Sequence, residues 1–256
     1  MTPREIVLCA VQAIFADFDP AKAEALLAPD YIQHNVGVPT GAAPIIGFIP
    51  ALKESGIKCT IHRVIAEGDL VVLHVTYENA QAFGGDTLVA FDVFRVENGK
   101  VAEHWDNLQP RVTQTASGHG MTDGATEICD LDKTISNKAL IQGFVREVLQ
   151  GHAPERVTDY ISLTTYTQHN PLVADGLAGL GAAMQAFADA GQAMTYARTP
   201  LVVAEGNFVF TASEGKLGDV PTAFFDLFRI EDGKIVEHWD TLSTIPDEMP
   251  HANGKF

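Results

Sequence analysis

The chain has 256 residues, 46% of them hydrophobic and 20% charged, with a formal net charge of −16. That balance is ordinary for a globular protein. The acidity is shared by both halves, about −10 over residues 1–132 and −6 over 133–256, and it excludes nucleic acid and anionic membrane as partners, which require basic patches.

The chain opens on Thr2-Pro3-Arg4-Glu5. This reads as a helix start, with Thr2 as the cap, proline in the first turn and glutamate three residues after the cap. The apolar stretch that follows runs only from Ile6 to Phe15, includes Gln12 and gives way to Asp17 and Asp19. It has neither the basic leader nor the cleavage site of a signal peptide, and no window reaches the eighteen apolar residues of a membrane span. Cys9, Cys59 and Cys129 are odd in number and unmatched between the halves, so no disulfide framework is expected. A soluble, cytoplasmic protein follows.

After the first helix, with Ile6, Ala10, Ala13 and Ile14 on one face, the pattern predicts a short helix over 20–27. A Tyr31-Ile32-Gln33-His34-Asn35 segment follows, then a third helix over 43–54 ended by Gly56. Strands are predicted over 58–66, 70–78, 87–96 and 100–108. Residues 109–136 are polar, aperiodic and contain several glycines, which reads as linker. Then the order repeats. Ile141, Val145, Val148 and Leu149 restore the first helical face, short helices follow near 153–160 and 178–190, and four more strands close the chain. Helices first and antiparallel strands after them define an α+β class. The expected domains are 1–110 and 136–256, joined by a linker over 111–135.

The repeat is literal. Residues 91–108 read FDVFRVENGKVAEHWDNL and residues 225–242 read FDLFRIEDGKIVEHWDTL. Tyr31-Ile-Gln-His-Asn35 returns as Tyr166-Thr-Gln-His-Asn170. The offset between matched residues is 135 there, rises to 138 at Glu67 and Glu205, and falls to 134 at the hairpin, so insertions and deletions sit in the loops. A period of domain size means two homologous domains rather than a solenoid.

Glu97-Asn98-Gly99 and Glu231-Asp232-Gly233 suit a three-residue loop with a glycine bulge. That register sets Asp92 opposite His104, with Asp106 on the same face, and sets Asp226 opposite His238, with Asp240 beside them. A two-residue turn would slip the register by one and put Asp92 on the other face. An acid enclosed by apolar surface next to an imidazole is the equipment for moving a proton alpha to a carbonyl. The competing reading is a satisfied, solvated cross-strand pair. His34 and Asn35, with His169 and Asn170, precede glycine-containing loops and suit a pocket mouth. Trp105 and Trp239 alternate with the acids and point to the opposite face, toward core or an interdomain contact. His74 stands mid-strand where the second half has Ala212, and Gln109 follows the first hairpin where the second has Ser243. The fuller polar set therefore lies in the first half, the one expected to work if only one does. No metal-ligand, dinucleotide, P-loop or nucleophile-elbow motif occurs, and neither metal nor cofactor is expected.

Taken together, Tyr-Ile-Gln-His-Asn, Ala-Glu-Gly-Asp-x-x-x-x-His and Phe-Arg-x-x-x-Gly-Lys-x-x-Glu-His-Trp-Asp resemble the SnoaL-like proteins, within the nuclear-transport-factor-2-like and ketosteroid-isomerase-like superfamily. The resemblance spans most of both halves. It implies two cone-shaped α+β barrels, each with three helices wrapped by a curved sheet around a pocket. It also implies a cofactor-free acid/base activity on a small apolar carbonyl compound: aldol condensation, cyclisation or isomerisation. The acid/base role falls by motif on Asp106 and Asp240. His104, Asp92 and His74 in the first half, with His238 and Asp226 in the second, would tune them. His34, Asn35, Gln109, His169 and Asn170 would bind the substrate. Position 92 is aspartate where the polyketide cyclases commonly carry histidine. A noncatalytic ligand-binding protein of the same fold is the alternative. The resemblance further implies that the halves pair as an internal pseudo-dimer, with a further homodimer open to the chain.

Overall fold

A computed structural model describes residues 1–256. The chain divides into two compact units, Met1–Arg111 with Pro246–Phe256, and Val112–Ile245. This corrects the boundaries read from the sequence. Residues 112–135 are part of the second unit rather than a free linker, and the last eleven residues belong to the first.

In the first unit, α1 (Pro3–Phe15) starts on the expected capping box: the Thr2 hydroxyl accepts from the Glu5 amide, and the Thr2 amide donates to the Glu5 carboxylate. Helix α2 (Pro20–Leu26) is capped by Asp19, and α3 (Ala42–Ser55) ends on Gly56 in the left-handed region. The strands are β1 (Leu27–Gln33), β2 (Lys58–Glu67), β3 (Leu70–Glu78), β4 (Thr87–Glu97) and β5 (Lys100–Pro110). They form one sheet in the order β1-β5-β4-β3-β2. Only β1 runs parallel to its neighbour. It carries Pro29, which an edge strand tolerates, and was not expected as a strand. Helix residues Ile6, Val7, Ala10, Ile49 and Leu52 pack on Val71, Leu73, Val75, Leu88 and Ala90 of the sheet. Strand alternation then places Asp92, His104 and Asp106 on this helix-covered face.

The second unit repeats the plan with α4 (Thr134–Phe144), α5 (Val157–Tyr160) and α6 (Gly176–Asp189). Its strands are β6 (Thr167–Gln168), β7 (Met194–Glu205), β8 (Phe208–Leu217), β9 (Val220–Glu231) and β10 (Lys234–Thr244), in the matching order β6-β10-β9-β8-β7. Here α4 runs on into a π turn, Val145–Leu149. The α+β class and the doubled architecture are those expected. No helix is long and apolar enough to cross a membrane, and the three cysteines are free.

The hairpin departs from the expected register. Glu97 pairs directly with Lys100, leaving a two-residue turn in which Asn98 and Gly99 both have positive φ. The second unit repeats this with Glu231, Lys234, Asp232 and Gly233. Positive φ at both positions gives the primed turn whose twist matches that of the strands. The face is rescued two residues on. Ladder irregularities between Arg95 and Val96, and between Ile235 and Glu237, each admit one extra residue, Ala102 or Val236. Asp92 consequently faces Asp106 across the ladder, and Asp226 faces Asp240. The shift from the expected pairing is two residues, and a shift of two keeps the face.

Candidate functional site

Each unit assembles a buried trio at the centre of its helix-covered sheet face. In the second unit, His238 Nε2 lies 3.0 Å from Asp226 Oδ1, and Asn170 Nδ2 donates to Asp240 Oδ2 at 2.7 Å. In the first, His104 Nε2 lies 3.0 Å from Asp92 Oδ1, and Asn35 donates to Asp106 Oδ2. The ligand atoms of either trio fall within 4.8 Å of one another, a donor set that a divalent cation could use. The direct His–Asp bond already engages Nε2.

The ring tautomer follows from a residue given no role on sequence grounds. Gln168 Oε1 accepts from the amides of both His169 and Asn170, which fixes that atom as oxygen. His238 Nδ1, 2.9 Å from the same oxygen, must therefore be the donor. Nε2 is left to share a proton with Asp226. Gln33 repeats the arrangement for His104, bonded at 2.9 Å. Burial alone would depress His238, but the Asp226 bond and the Asp240 charge outweigh it, and the ring is raised above its ordinary value. Burial pushes the Asp240 carboxyl up to about 6, and the neighbouring Asp226 charge pushes the same way. The His238 charge and the Asn170 bond only partly offset them. Burial raises Asp92 in the first unit as well.

The surroundings of the two trios differ. In the second unit, Asp226, His238 and Asp240 stand at the polar end of a cavity of about 490 Å³. Its walls include Phe144, Val148, Leu177, Met184, Met194 and Phe228. Asp240 Oδ1 is buried there without a hydrogen-bond partner. Tyr196 also lines it, its hydroxyl 3.4 Å from both Asp226 oxygens, and burial holds that phenol well above its ordinary value, so it keeps its proton. In the first unit the β3–β4 connection carries a short helical turn, Gln81–Phe83. Phe83 packs against Phe15, Phe48 and Tyr77 with centroids 5.5–6.3 Å apart. The second unit replaces that connection by a tight turn between Leu217 and Val220, the deletion implied by the fall in offset. Tyr77 donates to Asp92 Oδ2 at 3.0 Å. The Lys255 ammonium donates to the Asp106 backbone carbonyl and lies 3.5 Å from Asp106 Oδ1.

Several expected site residues lie elsewhere. His74 is Cα-paired with Phe91 and stacks on it at 4.3 Å, with Arg63 Nη1 at 3.0 Å from its Nδ1. That is the sheet face opposite Asp92, because β3 alternates and Leu73 occupies the inner position. His34 and His169 stack on Trp105 and Trp239 at 4.9 and 4.8 Å, each with Nε2 on a glutamate, Glu103 or Glu237. They buttress the outer face, where alternation had placed the tryptophans, and they do not join the trios. Gln109 alternates onto that face too, paired with Val89. Asn35 and Asn170 do reach the trios, holding the acids. Gln33 and Gln168 were visible as repeated residues whose role went unassigned. Tyr77 and Tyr196 come from non-equivalent strands and Lys255 has Met121 at the matching position, so no repeat signal marked them.

The SnoaL-like domain family matches residues 10–104 and again 141–238. The chain belongs to that family, as a tandem pair. No curated relative matches it. Solved structures similar to part of the chain include TsrD from Streptomyces laurentii, with 21% identity and TM-score 0.35, over 41% of this chain and 86% of TsrD. IdmH from Streptomyces antibioticus, described as a putative polyketide cyclase, has 18% identity and TM-score 0.37, over 43% of this chain and 93% of IdmH. An LEH-like epoxide hydrolase of M. tuberculosis has 19% identity and TM-score 0.35, over 42% of this chain and 82% of that one.

Proposed function

We propose that the second unit is a cofactor-independent acid/base catalyst acting on a small apolar carbonyl compound, in an aldol-condensation, cyclisation or isomerisation reaction. One observation carries this reading: a carboxyl raised to about 6 on a residue that lines a largely apolar cavity, with one oxygen anchored by Asn170 and the other buried without a partner. A base held near the working pH is matched to taking a proton from carbon and returning it. Asp240 Oδ1 removes the proton alpha to the carbonyl, and the electron pair of the C–H bond moves onto the carbonyl oxygen. The Tyr196 hydroxyl, still protonated, is a donor among the cavity residues that can turn from Asp226 to the resulting oxyanion. Asp240 then returns its proton, or the carbanion attacks a second carbonyl of the same molecule.

The expectation favoured Asp106 and the first unit. The proposal moves to Asp240 because Asp106 Oδ1 is paired with Lys255 and the equivalent end of the first unit holds Phe83. The test is deuterium exchange alpha to the carbonyl, followed by NMR over a panel of small ketones and 1,3-diketones. Asp240→Asn is expected to lower exchange at least about a hundredfold, with Asp106→Asn close to wild type. Loss with Asp106→Asn alone would return the role to the first unit.

A further inference from the structure

The two trios differ in how their second carboxylate is balanced. In the first unit the balancing group is an alkylammonium supplied by the chain itself. Residues 251–255 run along the Gln33–Asn35 segment: His251 Nε2 donates to the Asn35 carbonyl, Asn253 Nδ2 to the Gln33 carbonyl, and the Gly254 carbonyl accepts from His34 Nδ1, each at 2.9 Å. The next residue, Lys255, is buried and places its ammonium on Asp106. In the second unit the residues before α4 run in the same way. The Gly120 carbonyl accepts from His169 Nδ1 at 2.7 Å, and Ser117 Oγ donates to the Gln168 carbonyl at 2.7 Å. Gly120 is thus the counterpart of Gly254, and the residue after it is Met121, buried and uncharged.

The second trio therefore has the same carboxylates and imidazole but no lysine beside them, and Asp240, which lines the cavity, keeps a buried and unpartnered Oδ1. A buried carboxylate is costly until a donor or a positive charge meets it. The rest of the lining is mostly apolar and includes the aromatic rings, with their electron-rich faces, of Tyr166, Tyr196 and Phe228. Such faces attract an ammonium group more than they attract a neutral one.

We infer that the second unit's cavity recognises a ligand with an apolar body and an alkylammonium group, whose charge sits on Asp240 as that of Lys255 sits on Asp106. This rests on the same cavity as the proposed function but names a different ligand: an ammonium on Asp240 engages the carboxylate that proton transfer needs, as Lys255 engages Asp106, so the amine competes with the carbonyl substrate for the cavity.

The probes are n-hexylamine and hexan-1-ol, matched in length and differing in charge, titrated into the intact protein by calorimetry. The amine is expected to bind once per chain and about tenfold or more tighter than the alcohol, as befits a hydrogen bond to a charged group. Asp240→Asn is expected to remove the preference. Equal affinities in the wild-type protein would overturn the inference whatever the variant does, as would a preference that survives Asp240→Asn. Zinc binding that depends on Asp240, with no amine binding, would also overturn it and make the trio a metal site. Absence of amine binding leaves deuterium exchange by Asp240 untouched. Amine binding without exchange would reject only the catalytic reading.

Discussion

Asp240 is a carboxylate whose neutral form the fold prefers, and this has a signed consequence for stability. Its folded pKa of about 6 lies above the unfolded value of 3.8. The stabilisation from holding it protonated is full below about pH 4 and is lost as the pH rises through about 6. Asp240→Asn is therefore expected to stabilise the second unit by on the order of 2 kcal/mol at about pH 8, with the difference closing near pH 4. Urea denaturation of both proteins at the two pH values measures it, and a gap that widens toward acid would reject the assignment. In the proposed reaction the same carboxyl acts in the opposite sense, since only the ionised form accepts a proton. Exchange is expected to rise through about pH 6 and level off above it. The acids and imidazoles of both trios were legible at this scale, because Asp-x-Phe-Arg and Glu-His-Trp-Asp occur twice. Lys255 and the two tyrosines were not, since none of them has a matching residue in the other repeat.

At the scale of elements, the hairpin shows how two local features cancel. A two-residue turn by itself would have sent His238 and Asp240 to the Trp239 face, and the extra residue at Val236 restores them. The turn motif was readable in sequence but its type was not: Glu-Asn-Gly and Glu-Asp-Gly fit both a two- and a three-residue loop, and bulges carry no fixed residue signature. Gly233 has φ 71° with open space around its Cβ position, so Gly233→Ala is expected to cost only about 1 kcal/mol of backbone strain. Gly215 differs. A Cβ there would lie 1.8 Å from the Thr195 carbonyl oxygen, which is backbone and cannot swing away. Gly215→Ala is expected to cost about 3 kcal/mol or more and to separate β7, with Tyr196, from β8. Thermal unfolding of the pair checks the ranking, and equal losses would contradict it. Elements also decide the cavity. Phe83 stands on the β3–β4 connection of the first unit, while the second has a tight turn there, and its π turn contributes Val148 and Leu149 to the walls.

For the whole molecule, duplication accounts for the doubled sheet, but each unit is completed by residues that lie outside its own repeat in the sequence. The first takes Pro246–Phe256, and the second begins at Val112. Deleting residues 251–256 removes the bonds to Gln33, His34, Asn35 and Asp106 and leaves Asp106 without its cation. The expected cost is about 3 kcal/mol in the first unit alone. Calorimetry should show one transition lowered and the other unmoved. An unchanged profile would mean that the tail contributes nothing to the first unit.

Helical and strand periods, caps and the repeated hairpin are local properties. They follow from propensity and side-chain alternation, so the sequence by itself determined the α+β class, the doubling and the shared face of His238 and Asp240, while Asp226 joins that face only through the bulge at Val236. Only the tertiary structure decided what surrounds each trio. That outcome depends on one loop four residues shorter in the second repeat and on a lysine more than a hundred positions from the acid it meets. Neither proximity is encoded in any local pattern, because both arise from the path the chain takes after its strands are complete.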